Sequence, residues 1–203
     1  MLRVFEDLKN NRYLQPNLDP AYSLQHINGV VRFDDSKIEF LNTPIATPFG
    51  DSVLVKDLTF KVGNGEHLMI TGSNGSGKSS ILRILAGLWP QFDGVLTRPR
   101  NELSKIMYIP QRPYLAIGTL RDQVIYPHTK HDMKTAGRTD DELLEILKIV
   151  YLEYIPSREG GLDSVKEWKD VFSGGEKQRV QLARLFYHKP KFGIFVFDFR
   201  CFG

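Results

Sequence analysis

One cysteine, Cys201, stands alone in 203 residues, so no internal disulfide can staple this chain and its stability has to come from packing. Long apolar runs are missing too. None approaches the roughly 18 residues that cross a bilayer. The opening Met1-Leu2-Arg3-Val4-Phe5-Glu6-Asp7-Leu8 is too short and too charged for a secretory signal. The expectation is a chain that forms no translocation path by itself. An excess of one charge sign is also absent: 27 Lys and Arg face 24 Asp and Glu, a formal +3 with no dense basic block, which argues against nucleic acid as a partner. There is no internal repeat and no low-complexity tract. The remaining composition, 41% hydrophobic and 25% charged, is that of a globular protein with one well-cored domain, or a core with an inserted lobe.

Within that ordinary background, Gly72-Ser73-Asn74-Gly75-Ser76-Gly77-Lys78-Ser79 is a complete phosphate-binding loop, G-x-x-x-x-G-K-[ST] at every fixed position. Its context is readable. His67-Leu68-Met69-Ile70 predicts a short buried strand running into the loop. Ile81, Leu82, Ile84 and Leu85 recur at helical spacing behind it, and Gly87 and Pro90 supply a stop. Glycines at 72, 75 and 77 let successive N–H groups turn inward toward phosphate oxygens. A helix starting near Lys78 adds unpaired N–H donors and the positive end of its dipole. Lys78 is expected to reach the β- and γ-phosphates and the Ser79 hydroxyl to take magnesium, with Ser80 beside it. A nucleotide with Mg2+ is the expected ligand.

About a hundred residues downstream comes Phe172-Ser173-Gly174-Gly175-Glu176-Lys177-Gln178-Arg179. Ser173 and Glu176 have capping-box spacing ahead of the helical pattern Val180, Leu182, Ala183, Leu185 and Phe186. The two glycines leave the helix start bare, so another nucleotide's γ-phosphate can approach it. With both motifs in place the chain resembles the ATP-binding cassette family. The resemblance implies an α/β P-loop NTPase (RecA-like) core with an inserted helical lobe, and ATP with Mg2+ as ligands. It also implies head-to-tail pairing, in which Lys78 and Ser79 of one cassette and Ser173, Gly174, Gly175 and Glu176 of another sandwich each nucleotide. Gln111, after the strand-like Ile106-Met107-Tyr108-Ile109-Pro110, corresponds to the glutamine that reaches toward magnesium and the γ-phosphate. Its flank would contact a membrane domain. Phe49 is the one aromatic placed to stack on adenine, although a loop phenylalanine packing on the core explains it equally well.

Further runs look like the peroxisomal half-transporter branch of that family, which moves long and very-long-chain fatty acyl-CoA. They are Gly77-Lys78-Ser79-Ser80, Gly87-Leu88-Trp89-Pro90, Arg112-Pro113-Tyr114, Gly118 to Pro127, Arg158-Glu159-Gly160-Gly161 and Tyr187-His188-Lys189-Pro190. This likeness implies a second half-transporter as partner, a membrane domain carried by the parent protein, and a place on the cytosolic face of the peroxisomal membrane.

The expected organisation is a connector over 1–35, a RecA-like ATP-binding core over 36–110 and 186–197, a helical lobe over 111–185, and an aberrant tail over 196–203. Ile38-Glu39-Phe40-Leu41 and Ser52 to Val62 read as strands. A helix opens at Thr139 with Glu142 three residues on, presenting Leu143, Ile146, Leu147, Val150 and Tyr154 on one apolar face. His128 and His131 lack further ligands nearby, which argues against a metal site, and His67 reads as structural.

The chain leaves the family pattern after Phe195. An aspartate is expected at 196 and a catalytic glutamate at 197, but Val196 and Phe197 stand there, and Asp198 arrives two residues late, followed by Phe199. Sliding the motif would move Asp198 about 6–7 Å along a strand, and no register recovers the glutamate. The sheet is therefore expected to be incomplete at its C-terminal side. Every valine codon begins with GT, so residues 196–203 read as a retained intron or a misjoined gene model beginning at Val196. Two functional readings result: an ATPase domain that powers transport, or a nucleotide-binding fragment without turnover.

Overall fold

Residues 27–73 and 75–195 are described by a computed structural model, and the chain divides between Asn101 and Glu102 into two units. Asn74, Asp198, the tail 196–203 and most of the stretch read as a connector lie outside the described residues.

The first unit is built on a four-stranded sheet in the order β1-β4-β2-β3, from β1 (Val30–Phe33), β2 (Lys37–Ala46), β3 (Val53–Gly63) and β4 (Val95–Arg98). β1 runs parallel to β4, and the other pairings are antiparallel. β2 continues past Leu41, where the sequence pattern predicts its end. Register shifts between Phe40 and Thr43 absorb the break, and Asn42 takes a positive φ of 49°. The buried face therefore passes from Ile38 and Phe40 to Thr43 and Ile45, changing from even to odd positions without leaving the core.

Helix α1 (Lys78–Leu85) buries Ile81, Ile84 and Leu85 and packs toward β2. It stops where Gly87 adopts φ +74°, and the Asn101 side chain donates to the Ala86 carbonyl at 3.1 Å, satisfying one of the terminal acceptors. One expectation fails here. Residues 67–70 form no strand, and Leu68, Met69 and Ile70 are 49%, 71% and 38% exposed. Among the described residues no strand pairs with this stretch. An apolar run becomes a strand only when a neighbour completes its ladder.

The second unit holds a parallel pair, β5 (Ile106–Ile109) with β8 (Phe192–Phe195), and a short antiparallel ribbon, β6 (Gly118–Thr119) with β7 (Val165–Lys166). Its helices are α2 (Leu120–Ile125), α3 (Lys130–Thr135), α4 (Asp140–Ile149), α5 (Ile155–Glu159), α6 (Trp168–Val171) and α7 (Gly174–His188). Four of them open with a complete capping box: Thr119/Asp122, Thr129/Asp132, Thr139/Glu142 and Ser173/Glu176. Each box satisfies two N–H groups that the helix start would otherwise leave unpaired.

Leu120, Leu143, Leu147, Ile155, Trp168 and Val180 form the heart of this unit's core. The Trp168 indole donates to the Gly118 carbonyl at 2.8 Å and stacks on Phe172. Arg121, 1% exposed, pairs with Asp140 of α4 and Asp163 of the loop before β7. Two sequence expectations need correction. Tyr154 does not extend the apolar face of α4: that helix ends at Ile149 with Val150 as its cap, and Tyr154 precedes α5, 41% exposed. Phe186 is 42% exposed, because the buried side of α7 is set by Val180, Ala183, Arg184 and Tyr187 at spacings of three and four. Among the described residues no helix is long and apolar enough to cross a membrane. The overall class is α/β.

Candidate phosphate-binding loop and signature helix

The start of α1 is unlike the four capped helices. Its N-cap, Gly77, has no side chain to accept from the first turn, and that turn contains no acidic residue. The N–H donors and the dipole there are left without an anion of the protein's own. Gly75 and Gly77 hold φ values of +80° and +92°, a left-handed backbone that other residues adopt only with strain. A Cβ at Gly77 would also crowd Leu54 at 3.3 Å and meet Ile45 and Val55 at an ordinary contact distance of 3.6 Å. Glycine at 77 is thus required by conformation, and the tight Leu54 contact adds to that.

Lys78, the first residue of α1, turns its ammonium back over the loop and donates to the carbonyls of Gly72 at 2.6 Å and Ser73 at 2.7 Å. Ser79 is exposed next to it and Ser80 is buried. The donor set is a cation, a hydroxyl and outward N–H groups on a bare helix end. This chemistry fits the oxygens of a polyphosphate and, at Ser79, one ligand position of a hard divalent cation. Gly72, Ser73, Gly75, Ser76, Gly77, Lys78, Ser79 and Ser80 are contiguous in this one cradle.

Phe49 sits in the tight β2–β3 loop, which is closed by the Thr47 amide donating to the Ser52 carbonyl at 3.0 Å. Its ring is 47% exposed, so it is not held in the core of this unit. In the second unit, Gln111 is exposed two residues past the end of β5. His128, weighed with His131 as a metal pair lacking further ligands, meets Tyr187 through Nδ1 at 3.2 Å from the phenol oxygen and packs edge-on against His188.

The Ser173–Glu176 tip is built in a different way. Ser173 Oγ accepts from the Glu176 amide at 3.3 Å, and Glu176 Oε2 accepts from the Ser173 amide at 2.7 Å. Glu176 is buried, 4% exposed, while Ser173, Gly174 and Gly175 are all exposed. Its Oε1 accepts from Tyr154 OH and from Arg158 Nη1, each at 2.8 Å. Burial opposes the carboxylate charge, but the bonds from Arg158, the Ser173 amide and Tyr154 overcome it and hold the pKa at about 2. With these donors engaged, Glu176 holds the tip together and is not turned outward to a ligand.

Gly174 and Gly175 have ordinary helical backbones, and a Cβ at either would meet nothing within 4 Å. Neither conformation nor internal packing calls for glycine there. Sequence reasoning found the tip through its local spacing but missed Tyr154 and Arg158. The run Arg158-Glu159-Gly160-Gly161 was visible, without any signal that linked it to Glu176.

Residues 55–195 match a family described as ABC transporter. Over 203 aligned residues the chain is 54% identical to the ATP-binding cassette sub-family D member 3 of Homo sapiens, covering 96% of this chain and 30% of that protein. It is 43% identical to the sub-family D member 1 of Drosophila melanogaster, covering 96% and 28%. A lysosomal cobalamin transporter of Mus musculus is 41% identical, covering 87% and 30%. The chain thus spans under a third of the length of these relatives. A solved bacterial Atm1-family ABC exporter with ATP bound aligns over 98% of this chain and 35% of its own at a TM-score of 0.65 and 22% identity, a likeness of fold.

Proposed function

The chain belongs to the ABC transporter family, and we propose that it binds Mg-ATP as the nucleotide-binding domain of a subfamily D half-transporter. In this reading the cradle at 72–80, Asn74 included, grips the phosphates. Ser79 and Gln111 serve magnesium, and Phe49 stacks on adenine. Ser173, Gly174 and Gly175 of a second half-transporter close over the same nucleotide, with Glu176 bracing that tip. The RecA-like core is formed by 36–110 with 186–197, and 111–185 forms the helical lobe. Pairing and hydrolysis would move a membrane domain of the parent protein, on the cytosolic face of the peroxisomal membrane, to import long or very-long-chain fatty acids or their CoA esters. The subfamily's own range includes a protein named for lysosomal cobalamin transport, so substrate and organelle are the first parts of the proposal to test in cells.

The observation that carries the nucleotide reading is the uncapped, acid-free start of α1 behind left-handed glycines, with Lys78 folded over it. Replacing Lys78→Ala removes the only side-chain cation in the cradle. A charge-assisted bond of about 2–3 kcal/mol is lost, so affinity for a fluorescent ATP analogue falls about 30- to 150-fold in a sample whose circular dichroism is unchanged. Unaltered affinity in that folded variant would remove the basis of the proposal.

A second reading is favoured by the residues after Phe195. Val196 and Phe197 stand where the family pattern places the magnesium aspartate and the catalytic glutamate, and the family match also ends at 195. The displaced Asp198 cannot supply both roles. In this reading the chain holds ATP and pairs with little or no turnover. Phosphate release measured alongside nucleotide binding separates the two.

A further inference from the structure

We propose that Arg158 is a positioning residue for ATP-dependent pairing: through the Glu176 carboxylate it fixes the direction in which the α7 tip presents Ser173, Gly174 and Gly175. The inference rests on reading that tip as the part of the chain that closes over a second copy's nucleotide.

Phe172, buried and stacked on Trp168, anchors the chain just before the tip, but the tip itself has few holds. Gly174 and Gly175 carry no side chains, and the space around them is open, so neither can anchor the first turn of α7. Ser173 is tied to Glu176 by the reciprocal capping bonds, and its carbonyl accepts from the Lys177 amide at 3.0 Å. Those bonds shape the turn but are internal to it and cannot aim it. Beyond the Phe172 anchor, aim comes from two side chains one turn apart, Glu176 and Arg179, both of which reach the segment 151–159. Arg179 Nη1 donates to the Tyr151 carbonyl at 2.9 Å, and Nη2 approaches Tyr154 OH at 3.4 Å. Glu176 Oε1 receives Tyr154 OH and Arg158 Nη1.

Of these contacts, that of Arg158 is the charged one made to a buried carboxylate. The guanidinium is itself held. Its Nε donates to Glu159, and Glu159 in turn accepts from Lys166 Nζ of β7 at 2.6 Å. An ion chain therefore runs from β7 through α5 to the tip of α7. Without Arg158 the capping box and the buried Val180 and Ala183 would still form α7, while its exposed end would lose its charged tether.

The test uses the full 203-residue chain with Mg-ATP and three readouts: nucleotide affinity of the single chain by a fluorescent ATP analogue, ATP-driven pairing by sedimentation velocity, and the thermal midpoint. For Arg158→Met, pairing weakens about tenfold or more while single-chain affinity stays within about twofold. Arg158→Lys, at the same thermal midpoint as Arg158→Met, restores part of the pairing, because a point charge keeps the attraction to the Glu176 carboxylate while giving up the forked bonds and the place over the Tyr154 ring. Tyr154→Phe, which deletes one hydroxyl and no packing volume, weakens pairing by a smaller factor and decides the matter if Arg158→Met does not fold. Undiminished pairing in Arg158→Met or, failing its folding, in Tyr154→Phe overturns the inference. So does a Lys variant no better than Met, or a loss of nucleotide affinity that parallels the loss of pairing. If the unsubstituted chain binds ATP and never pairs, this inference and the reading of the tip fall together. If it does not bind ATP at all, the cradle reading falls with them.

Discussion

At Glu176 two opposing forces meet in one side chain. Burial raises the cost of the carboxylate, and Arg158, the Ser173 amide and Tyr154 lower it further than burial raises it, from an ordinary 4.5 to about 2. A carboxylate whose pKa is depressed by folding stabilises the native state above its unfolded value, and that contribution is lost as pH falls from about 4.5 through about 2. Glu176→Gln keeps the shape and removes the titration. The variant is expected to lose about 1–3 kcal/mol at pH 7, the lower end reflecting solvent access to Arg158. Its stability should also fall less steeply than that of the parent between pH 5 and the acid limit. Urea unfolding at pH 7, 5 and 3.5 checks both, and parallel pH slopes would show that the network carries no charge-dependent stability. The Ser173–Glu176 spacing was legible because both residues belong to one turn. Arg158 and Tyr154 lie 18 and 22 positions earlier, on an element whose approach to α7 is set by the core, so no local pattern could link them.

Among elements, those that close their own hydrogen bonds were the most readable. The capping boxes at Thr139 and Ser173 follow from three-residue spacings, and those at Thr119 and Thr129 obey the same rule with aspartate in place of glutamate. The strands were less legible, since each depends on a neighbour. β2 outruns its apparent end at Asn42 because a bulge keeps Thr43 and Ile45 facing inward. Residues 67–70 have the composition of a strand and lack a partner among the described residues.

The start of α7 offers a test in which stability and function move apart. Gly175→Ala lies within a helix, with an ordinary backbone and nothing within 4 Å of the new methyl group. Stability should rise by about 0.5–1 kcal/mol, as glycine gives way to the best helix former. The same methyl group would stand where a second copy's phosphates have to approach, so ATP-driven pairing should weaken at least severalfold. A variant that is more stable and pairs as well as the parent would show that the bareness of this tip has no partner in view.

On the scale of the whole molecule, the question is whether a chain proposed to bind ATP also turns it over. The parallel pair β5 and β8 aligns Ile109 with Phe195, and ligands of parallel sheets gather beyond the carboxyl ends of their strands. Gln111 lies two residues beyond Ile109. Position 197, to which the proposed reading assigns the family's glutamate, lies two residues beyond Phe195 in sequence and carries a phenylalanine. Loss of a general base typically slows a reaction about 10²- to 10⁴-fold, about 3–5 kcal/mol of transition-state stabilisation, whereas phosphate grip, in the proposed reading, belongs to the loop at 72–80 and is spared. The parent chain is therefore expected to bind Mg-ATP and release phosphate very slowly. Val196→Asp combined with Phe197→Glu supplies the missing pair of acids without touching the cradle. At saturating Mg-ATP the double variant should release phosphate about 10²- to 10⁴-fold faster, with nucleotide affinity within about twofold of the parent. Phe197→Glu alone should recover part of that gain, since a base without its metal-supporting neighbour is only half of the machinery. If turnover in the double variant stays at the parent's level while binding persists, the block lies elsewhere than in the acids at 196 and 197. If the parent already turns over briskly, Asp198 or another group supplies the base, and the non-hydrolysing reading fails.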